Sequence, residues 1–238
     1  MAELRWLEPT DPPEAFPSPA LALRDPDGLL AAGGDLSAER LLAAYQRGIF
    51  PWFNEGQPIL WWSPDPRAVL IPSELHISRS LRRTLNRDQL TVTVDQAFAA
   101  VIANCAESRA STGTWITPEM REAYLELHEL GHAHSVETWQ GANLVGGLYG
   151  VNIGRAFAGE SMFSAVTDAS KVALVRLVRH CQALGVAMID CQLPTAHLTS
   201  LGSRSLPRAE FLGQLANLQS QRTTEPWVSG PLPTSQLI

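Results

Sequence analysis

From His134 to Phe163 the chain is written almost without a break as three alternating apolar runs. His134–Trp139 goes out, Gln140–Asn143 turns, Leu144–Val151 returns, Asn152 breaks, and Ile153–Phe163 goes out again. A period of two marks strands with one buried face, and connections this short force antiparallel neighbours. Helical periodicity flanks the meander on both sides. Upstream, Asp95 reads as the cap of a helix that turns Phe98, Val101, Ile102 and Cys105 inward. Thr117-Pro118 then supplies the N-cap and first position of a second helix, with Met120, Ala123, Tyr124 and Leu127 inward and Gly131 as its stop. Downstream, a helix from Asp168 to Leu184 buries Leu174, Leu177, Val178 and Cys181, Gly185 ends it, and Val186–Gln192 reads as one more strand. The order α-α-β-β-β-α-β predicts an α+β fold with helices packed on a mainly antiparallel sheet.

Ahead of this lies a block of different texture. Residues 1–65 are rich in Pro, Gly and Trp, and Ser63-Pro64-Asp65-Pro66 marks the expected boundary between a small N-terminal domain (1–65) and a larger one (66–238). Ser37 is a fitting N-cap for a short helix striped by Leu41, Leu42 and Tyr45. Phe50, Trp52, Phe53, Trp61 and Trp62 follow, more large aromatics than so small a core needs, so part of the group reads as a stacking surface. At the other end, Arg208–Leu218 reads as a short helix followed by a loose Pro/Ser-rich tail.

A chain of 238 residues, 45% hydrophobic, is long enough for a sizeable core, while no apolar run approaches a membrane span or a signal peptide. Three scattered cysteines are expected as free thiols in a reducing cytoplasm. A net charge of −6 argues against a generally basic nucleic-acid coat. Charge placement says more: Arg79, Arg82, Arg83 and Arg87 stand with no acid between Glu74 and Asp88, and on a helix Arg79, Arg83 and Arg87 share one face. Such a stripe is either a solvated surface or a phosphate-binding one.

Two polar strings sit inside apolar sequence, Gly159-Glu160-Ser161 and Ile189-Asp190-Cys191-Gln192. An unpaired buried carboxylate is very costly, so each needs a partner or a purpose. Strict alternation sets Asp190 and Gln192 on one face, accompanied by Met188, with Ile189 and Cys191 on the other. Alternation also separates Phe157 from Glu160, unless a bulge at Gly159 turns both to one pocket. His128, His132 and His134 span a helix end and a turn with no carboxylate or cysteine to complete a ligand set, so no metal is expected. Cys105 and Cys181 lie on apolar helix faces and make poor nucleophiles. The glycines of Leu144-Val-Gly-Gly-Leu-Tyr-Gly150 fall inside a strand, where close backbone approach explains them better than a dinucleotide loop does.

Taken together, FPSP, GLLAAGGDLS, RGIFPWF, PILWWSPDPR, LHISRSLRR, GTWIT, AYLELHELGHAHSVE, LVGGLYGV, GESMFS, ASK and IDCQ, in this order, resemble the bacterial leucyl/phenylalanyl-tRNA–protein transferases over nearly the whole chain. The resemblance implies a small N-terminal domain followed by a GNAT-like acyltransferase domain. It implies transfer of leucine or phenylalanine, methionine less well, from tRNA onto proteins beginning with Arg or Lys, which marks them for degradation. Carried over by position, Trp52 and Trp115 match aromatics at the aminoacyl-tRNA end. Leu148, Phe157, Leu177 and Ile189 match the apolar pocket for the amino acid, Glu160, Asp190 and Gln192 the polar catalytic group, and Arg79, Arg82, Arg83 and Arg87 the tRNA-backbone cluster. Ala165 stands where the family commonly has Arg, and Leu148 and Leu177 replace Met and Phe of a relative, which leaves the Leu/Phe/Met preference open.

The chemistry such a reaction demands is modest. An aminoacyl ester is already activated, so no cofactor is expected. The attacking α-amine, with a pKa near 8, must be oriented and deprotonated. Two carboxylates, Glu160 and Asp190, would attract an acceptor bearing both an N-terminal ammonium and a basic side chain, with Gln192 orienting it. A rival reading is an acyl-CoA N-acyltransferase, but its phosphate loop should open the central helix, and Gln182-Ala-Leu-Gly185-Val-Ala187 follows it instead. A non-catalytic tRNA-binding module leaves Glu160, Asp190 and Gln192 without purpose. Nothing demands an obligate interface, so a monomer without membrane contact is expected.

Overall fold

The computed structural model describes residues 4–108, 113–223, 227 and 229–238. Its first sheet has the order β1-β2-β4-β3, with β1 (Arg5–Leu7), β2 (Leu29–Gly33), β3 (Phe50–Pro51) and β4 (Leu60–Trp62). Helix α1 (Ala38–Gln46) lies between β2 and β3 in sequence and begins at Ser37, whose hydroxyl accepts from the Arg40 amide. Phe50, Phe53 and Trp61 are core residues of this unit, whereas Trp52 stays 42% exposed. The aromatic block therefore divides into a core part and a surface part.

The second sheet takes the rest of the chain, in the order β11-β5-β10-β9-β8-β7-β6-β12. Its strands are β5 (Arg67–Leu70), β6 (Thr91–Val94), β7 (Ala133–Gln140), β8 (Asn143–Ile153), β9 (Ala156–Ser164), β10 (Met188–Gln192), β11 (Arg204–Leu206) and β12 (Ser229–Pro233). Between them run α2 (Arg79–Asn86), α3 (Phe98–Glu107), α4 (Pro118–Glu129), α5 (Ala169–Leu184), α6 (Ala196–Ser200) and α7 (Arg208–Gln219). Every pairing in this sheet is antiparallel except β9 with β10. The meander β7-β8-β9 is the expected one, although Asn152 lies within β8 and the turn falls at Gly154-Arg155. The tail is not loose: β12 pairs with β6, and Leu237 is buried.

Helices cover both faces of the sheet. Tyr149, Val151 and Ile153 of β8 share one core with α3, α4, α1 and the first sheet, while Leu148 joins α5 and α2 in a second core. Gly146 and Gly150 of β8 are forced by close approach, since a Cβ would sit 2.5 Å from the Ala169 Cβ and 2.1 Å from the Ala158 carbonyl oxygen. Asp95 does not cap α3. Its carboxylate takes the His134 ring (2.7 Å) and the Ser135 amide (2.8 Å), and the residue before the helix is Ala97. Glu137 of β7 replaces it, fully buried, accepting from the Gln96 and Ala97 amides and from the Thr93 and Ser135 hydroxyls. A carboxylate at a helix N-terminus is favourable whichever strand supplies it. Among the described residues no helix is long and apolar enough to cross a membrane.

Candidate active site

The parallel pair β9–β10 is joined at only three positions: Met188 with Ala156, Ile189 with Phe157, and Asp190 with Ala158. Beyond them β9 runs on to Ser164 beside β8 alone. Where the two strands part, a cavity of about 590 Å³ opens. Gly159, Glu160, Ser161 and Met162 form one wall, and Ile189, Cys191, Gln192 and Leu193 the other. Leu148 of β8 with Leu174 and Leu177 of α5 makes the apolar side. Phe50, Pro51, Trp52 and Trp115 form an aromatic rim, and Thr195 and His197 border the far side. Trp52 is braced by Trp62, whose ring centroid is 5.5 Å away and whose indole N–H donates to the Trp52 carbonyl (2.7 Å).

Two bulges decide which polar groups enter. In β9, Gly159 pairs with Gly150 and Ser161 with Tyr149, so Glu160 is the extra residue, one position beyond the expected Gly159. Its carboxylate accepts from the Tyr124 hydroxyl (2.9 Å) and from Gln192 Nε2 (2.8 Å). Tyr124 is in turn hydrogen-bonded to Tyr45 of α1. In β10, Asp190 pairs with Val69 and Gln192 with Ala68, which leaves Cys191 as the extra residue and Gln192 at φ +62°. That bulge overturns the alternation expected for this strand. Asp190 and Gln192 do not share a face: Gln192 lines the cavity with Ile189 and Cys191, while Asp190 is withdrawn and 5% exposed.

Asp190 has a partner that charge counting alone misses. Arg67 of β5 binds it bidentately, Nε to Oδ1 at 2.8 Å and Nη2 to Oδ2 at 2.7 Å. The guanidinium is 1% exposed and lies between the rings of Phe50 and Phe211, each centroid 4.8 Å from its carbon. The expectation that Glu160 and Asp190 together face a cationic acceptor does not match this geometry, since Asp190 is turned to Arg67 and does not line the cavity. Glu160 is the one carboxylate among the described residues that line the cavity.

Burial raises the Glu160 carboxyl to a pKa of about 7, against hydrogen bonds from Tyr45 and Tyr124 that favour the carboxylate. The nearby Asp190 charge adds to the rise and Arg67 opposes it. Both tyrosines are pushed well above their usual value, first by burial and then by Glu160, so they remain hydroxyl donors. Burial pushes the Cys191 thiol up to about 12, which makes it part of the apolar wall and no nucleophile.

Of the other expected site residues, Leu148, Leu177, Ile189, Trp52 and Trp115 meet at the cavity. Phe157 does not line it. That ring is fully buried and stacked on Trp227, with centroids 5.1 Å apart, within the core shared with α5. Arg79, Arg82, Arg83 and Arg87 are all exposed along α2 and its C-cap, opposite the buried Leu81 and Leu85, and none forms an ion pair with a described residue. The helix is tied to the start of α5 by Thr84, whose hydroxyl donates to Asp168 (2.9 Å), itself paired with Lys171 (2.8 Å).

Sequence reasoning missed Arg67, Tyr45 and Tyr124 as site residues. A signal existed for each: an arginine in the apolar run RAVLI needs a buried counter-charge, and an inward tyrosine needs a partner for its hydroxyl.

Comparison with known proteins places the chain in a family. The family model described as leucyl/phenylalanyl-tRNA protein transferase matches residues 69–216, and the model of that family's N-terminal domain matches residues 34–65. A protein of Aromatoleum aromaticum named leucyl/phenylalanyl-tRNA–protein transferase is 66% identical over 203 residues, 85% of this chain and 86% of its own length. One of the same name from Edwardsiella ictaluri is 62% identical over 87% of this chain and 85% of its own. Another from Pseudomonas fluorescens is 56% identical over 95% of this chain and all of its own. This chain belongs to the leucyl/phenylalanyl-tRNA–protein transferase family.

Proposed function

We propose that the protein transfers leucine or phenylalanine, methionine less well, from aminoacyl-tRNA to the α-amino group of proteins that begin with Arg or Lys, which marks them for degradation. The observation that carries this reading is the cavity itself, where an apolar pocket and a Gln192–Glu160 hydrogen bond meet beneath an aromatic rim. An ester-linked amino acid needs both halves. Its branched or aromatic side chain gains by burial against Leu148, Leu177 and Ile189, and charged side chains are excluded. Trp52 and Trp115 are suited to stack the terminal bases of the tRNA, and Arg79, Arg82, Arg83 and Arg87 to meet its phosphates.

In the reaction the acceptor amine attacks the ester carbonyl. The new amide C–N bond forms, the ester C–O bond to the ribose breaks, the nitrogen gives up a proton and the ribose oxygen gains one. Gln192 spends its Nε2 on Glu160, which leaves Oε1 to accept an N–H of the incoming amine. Glu160, with a pKa of about 7, is matched to take that proton near neutral pH. Asp190 acts through Gln192 rather than on the substrate. The ester is activated already, so neither ATP nor a metal is required.

We read the fold as GNAT-like, with residues 1–65 as a small N-terminal domain and 66–238 as the catalytic one, working as a monomer in the cytoplasm, where charged tRNA is made. The parting of a parallel pair inside a mainly antiparallel sheet supports the fold reading. The test is transfer of radiolabelled leucine from Leu-tRNA to a protein beginning with Arg, with Lys-tRNA and acetyl-CoA as controls. Label is expected in the acceptor from Leu-tRNA alone. Absence of label, or equal transfer from Lys-tRNA or acetyl-CoA, refutes the reading.

A further inference from the structure

We infer that Arg67 is a positioning residue for the aminoacyl transfer, holding Gln192 in its working orientation through Asp190. The inference rests on the function proposed above. Its foundation is one shared atom. Asp190 Oδ1 accepts both Arg67 Nε (2.8 Å) and the Gln192 backbone N–H (2.9 Å). Gln192 stands at φ +62°, a conformation that a non-glycine residue holds only when its surroundings impose it. The bond from Asp190 Oδ1 to its amide is one such constraint. The side chain that leaves this backbone reaches Glu160. A continuous line thus runs from Arg67 to Asp190, to Gln192, to Glu160 at the reacting end.

Arg67 suits this task better than any other cation. Its planar fork fixes both carboxylate oxygens at once, so Asp190 cannot rotate about its own axis. Phe50 and Phe211 clamp the plane of the guanidinium. One ring comes from the first sheet and the other from α7, so two distant parts of the chain set one geometry. The remaining nitrogen, Nη1, is buried with no hydrogen-bond partner among the described residues. A guanidinium placed there only to satisfy hydrogen bonds would not leave one of its donors unmet. Ring faces and the bidentate pair are what hold it.

The experiment compares Arg67→Lys, Arg67→Gln and Phe211→Leu with the wild type, with folding checked by circular dichroism and melting temperature. Steady-state transfer from Leu-tRNA to an Arg-initiated protein is followed across pH. Lysine keeps the charge and loses the fork, so kcat is expected to fall about tenfold with KM for Leu-tRNA within about twofold and an unmoved pH profile. Glutamine also removes the positive charge that opposes protonation of Glu160. Its kcat is expected to fall about a hundredfold, and its acid limb to move to higher pH. Phe211→Leu keeps both ionic partners while loosening the clamp, and a smaller fall in kcat alone is expected.

If the glutamine variant does not fold, the lysine and Phe211→Leu variants carry the test. Folded Arg67→Lys with wild-type kcat overturns the inference. So does a loss that appears in KM alone, or a folded Arg67→Gln whose pH profile matches the wild type. A wild type that transfers nothing sinks the proposed function and this inference with it. An active wild type beside an unaffected Arg67→Lys sinks this inference only.

Discussion

The hydroxyls of Tyr45 and Tyr124 should set the pH at which the enzyme begins to work. Both bear on Glu160, and both favour its charged form. A hydrogen bond to a charged group contributes about 1.5–3 kcal/mol, and about 1.4 kcal/mol moves a pKa by one unit. The two hydroxyls also bond each other, so loss of one leaves the other free to turn toward the carboxylate. Tyr124→Phe or Tyr45→Phe alone should therefore raise the Glu160 pKa by about one unit, and the double variant by about two. The sign is upward because each substitution removes support from the carboxylate. Starting from a pKa of about 7, the ionised fraction at pH 7 then falls about fivefold in a single variant and about fiftyfold in the double. Rates on the alkaline plateau should stay together. The assay is single-turnover transfer of labelled leucine from about pH 5.5 to 9.5, with enzyme-free ester hydrolysis subtracted and one Arg-initiated acceptor throughout. The acceptor's own titration is then common to every curve. Acid limbs that coincide in all variants, or that move downward, would refute the assignment of Glu160 as the proton acceptor.

The same carboxyl makes stability depend on pH in an unusual direction. Its folded pKa is raised from 4.5 to about 7, so its contribution is fully present below about pH 4.5 and lost as pH rises through 7. At pH 8 this costs about 3 kcal/mol, or about 6–12 °C in melting temperature. Glu160→Gln stays neutral, so its melting temperature should gain on the wild type between pH 5 and pH 8 while transfer is lost; a constant difference across that range contradicts the raised pKa. On the opposite flank, Arg82→Glu with Arg83→Glu should weaken tRNA binding and lower the slope of log affinity against log salt by about one for each phosphate no longer neutralised. Filter binding at several salt concentrations reads this directly, and an unchanged slope removes α2 from the tRNA footprint.

What could be read from the sequence was whatever repeats with a regular period or sits at an element's end. The β7-β8-β9 meander followed from alternation, and the limits of α4 and α5 from Thr117-Pro118, Gly131 and Gly185. A cap borrowed from another strand could not be read, because Glu137 lies forty residues after the Ala97 amide it serves. Short strands such as β5, β6, β11 and β12 have too few residues for a period to declare itself, and they gain their stability from distant partners. The site suffered most from this. A period of two assigns faces only until an extra residue enters, and both polar strings contain one, at Glu160 and at Cys191. Each slip of one residue moves a side chain to the opposite face. That is why Glu160 and Gln192 are legible as site residues by their chemistry, while the face of Asp190 is not.

That corrected face changes the chemistry as well as the geometry. With Asp190 satisfied by Arg67, the cavity lining holds a single carboxylate among the described residues, and in the proposed reaction it has to receive the proton of an amine whose pKa is near 8. An ordinary glutamate would make that transfer uphill by about 5 kcal/mol, which is the distance between a pKa near 8 and one near 4.3. At a pKa of about 7 the gap shrinks to about 1.4 kcal/mol. Burial is the largest cause of this rise, and the hydrogen bonds from Tyr45 and Tyr124, with the Arg67 charge, keep it from going further. An unpaired Asp190 anion would push the Glu160 proton on still more firmly, and the base would be protonated when the amine arrives. Arg67 and the two tyrosine hydroxyls thus hold the Glu160 pKa down against burial and the Asp190 charge. Glu160 is left about half ionised at neutral pH, with the Gln192 amide hydrogen-bonded to it.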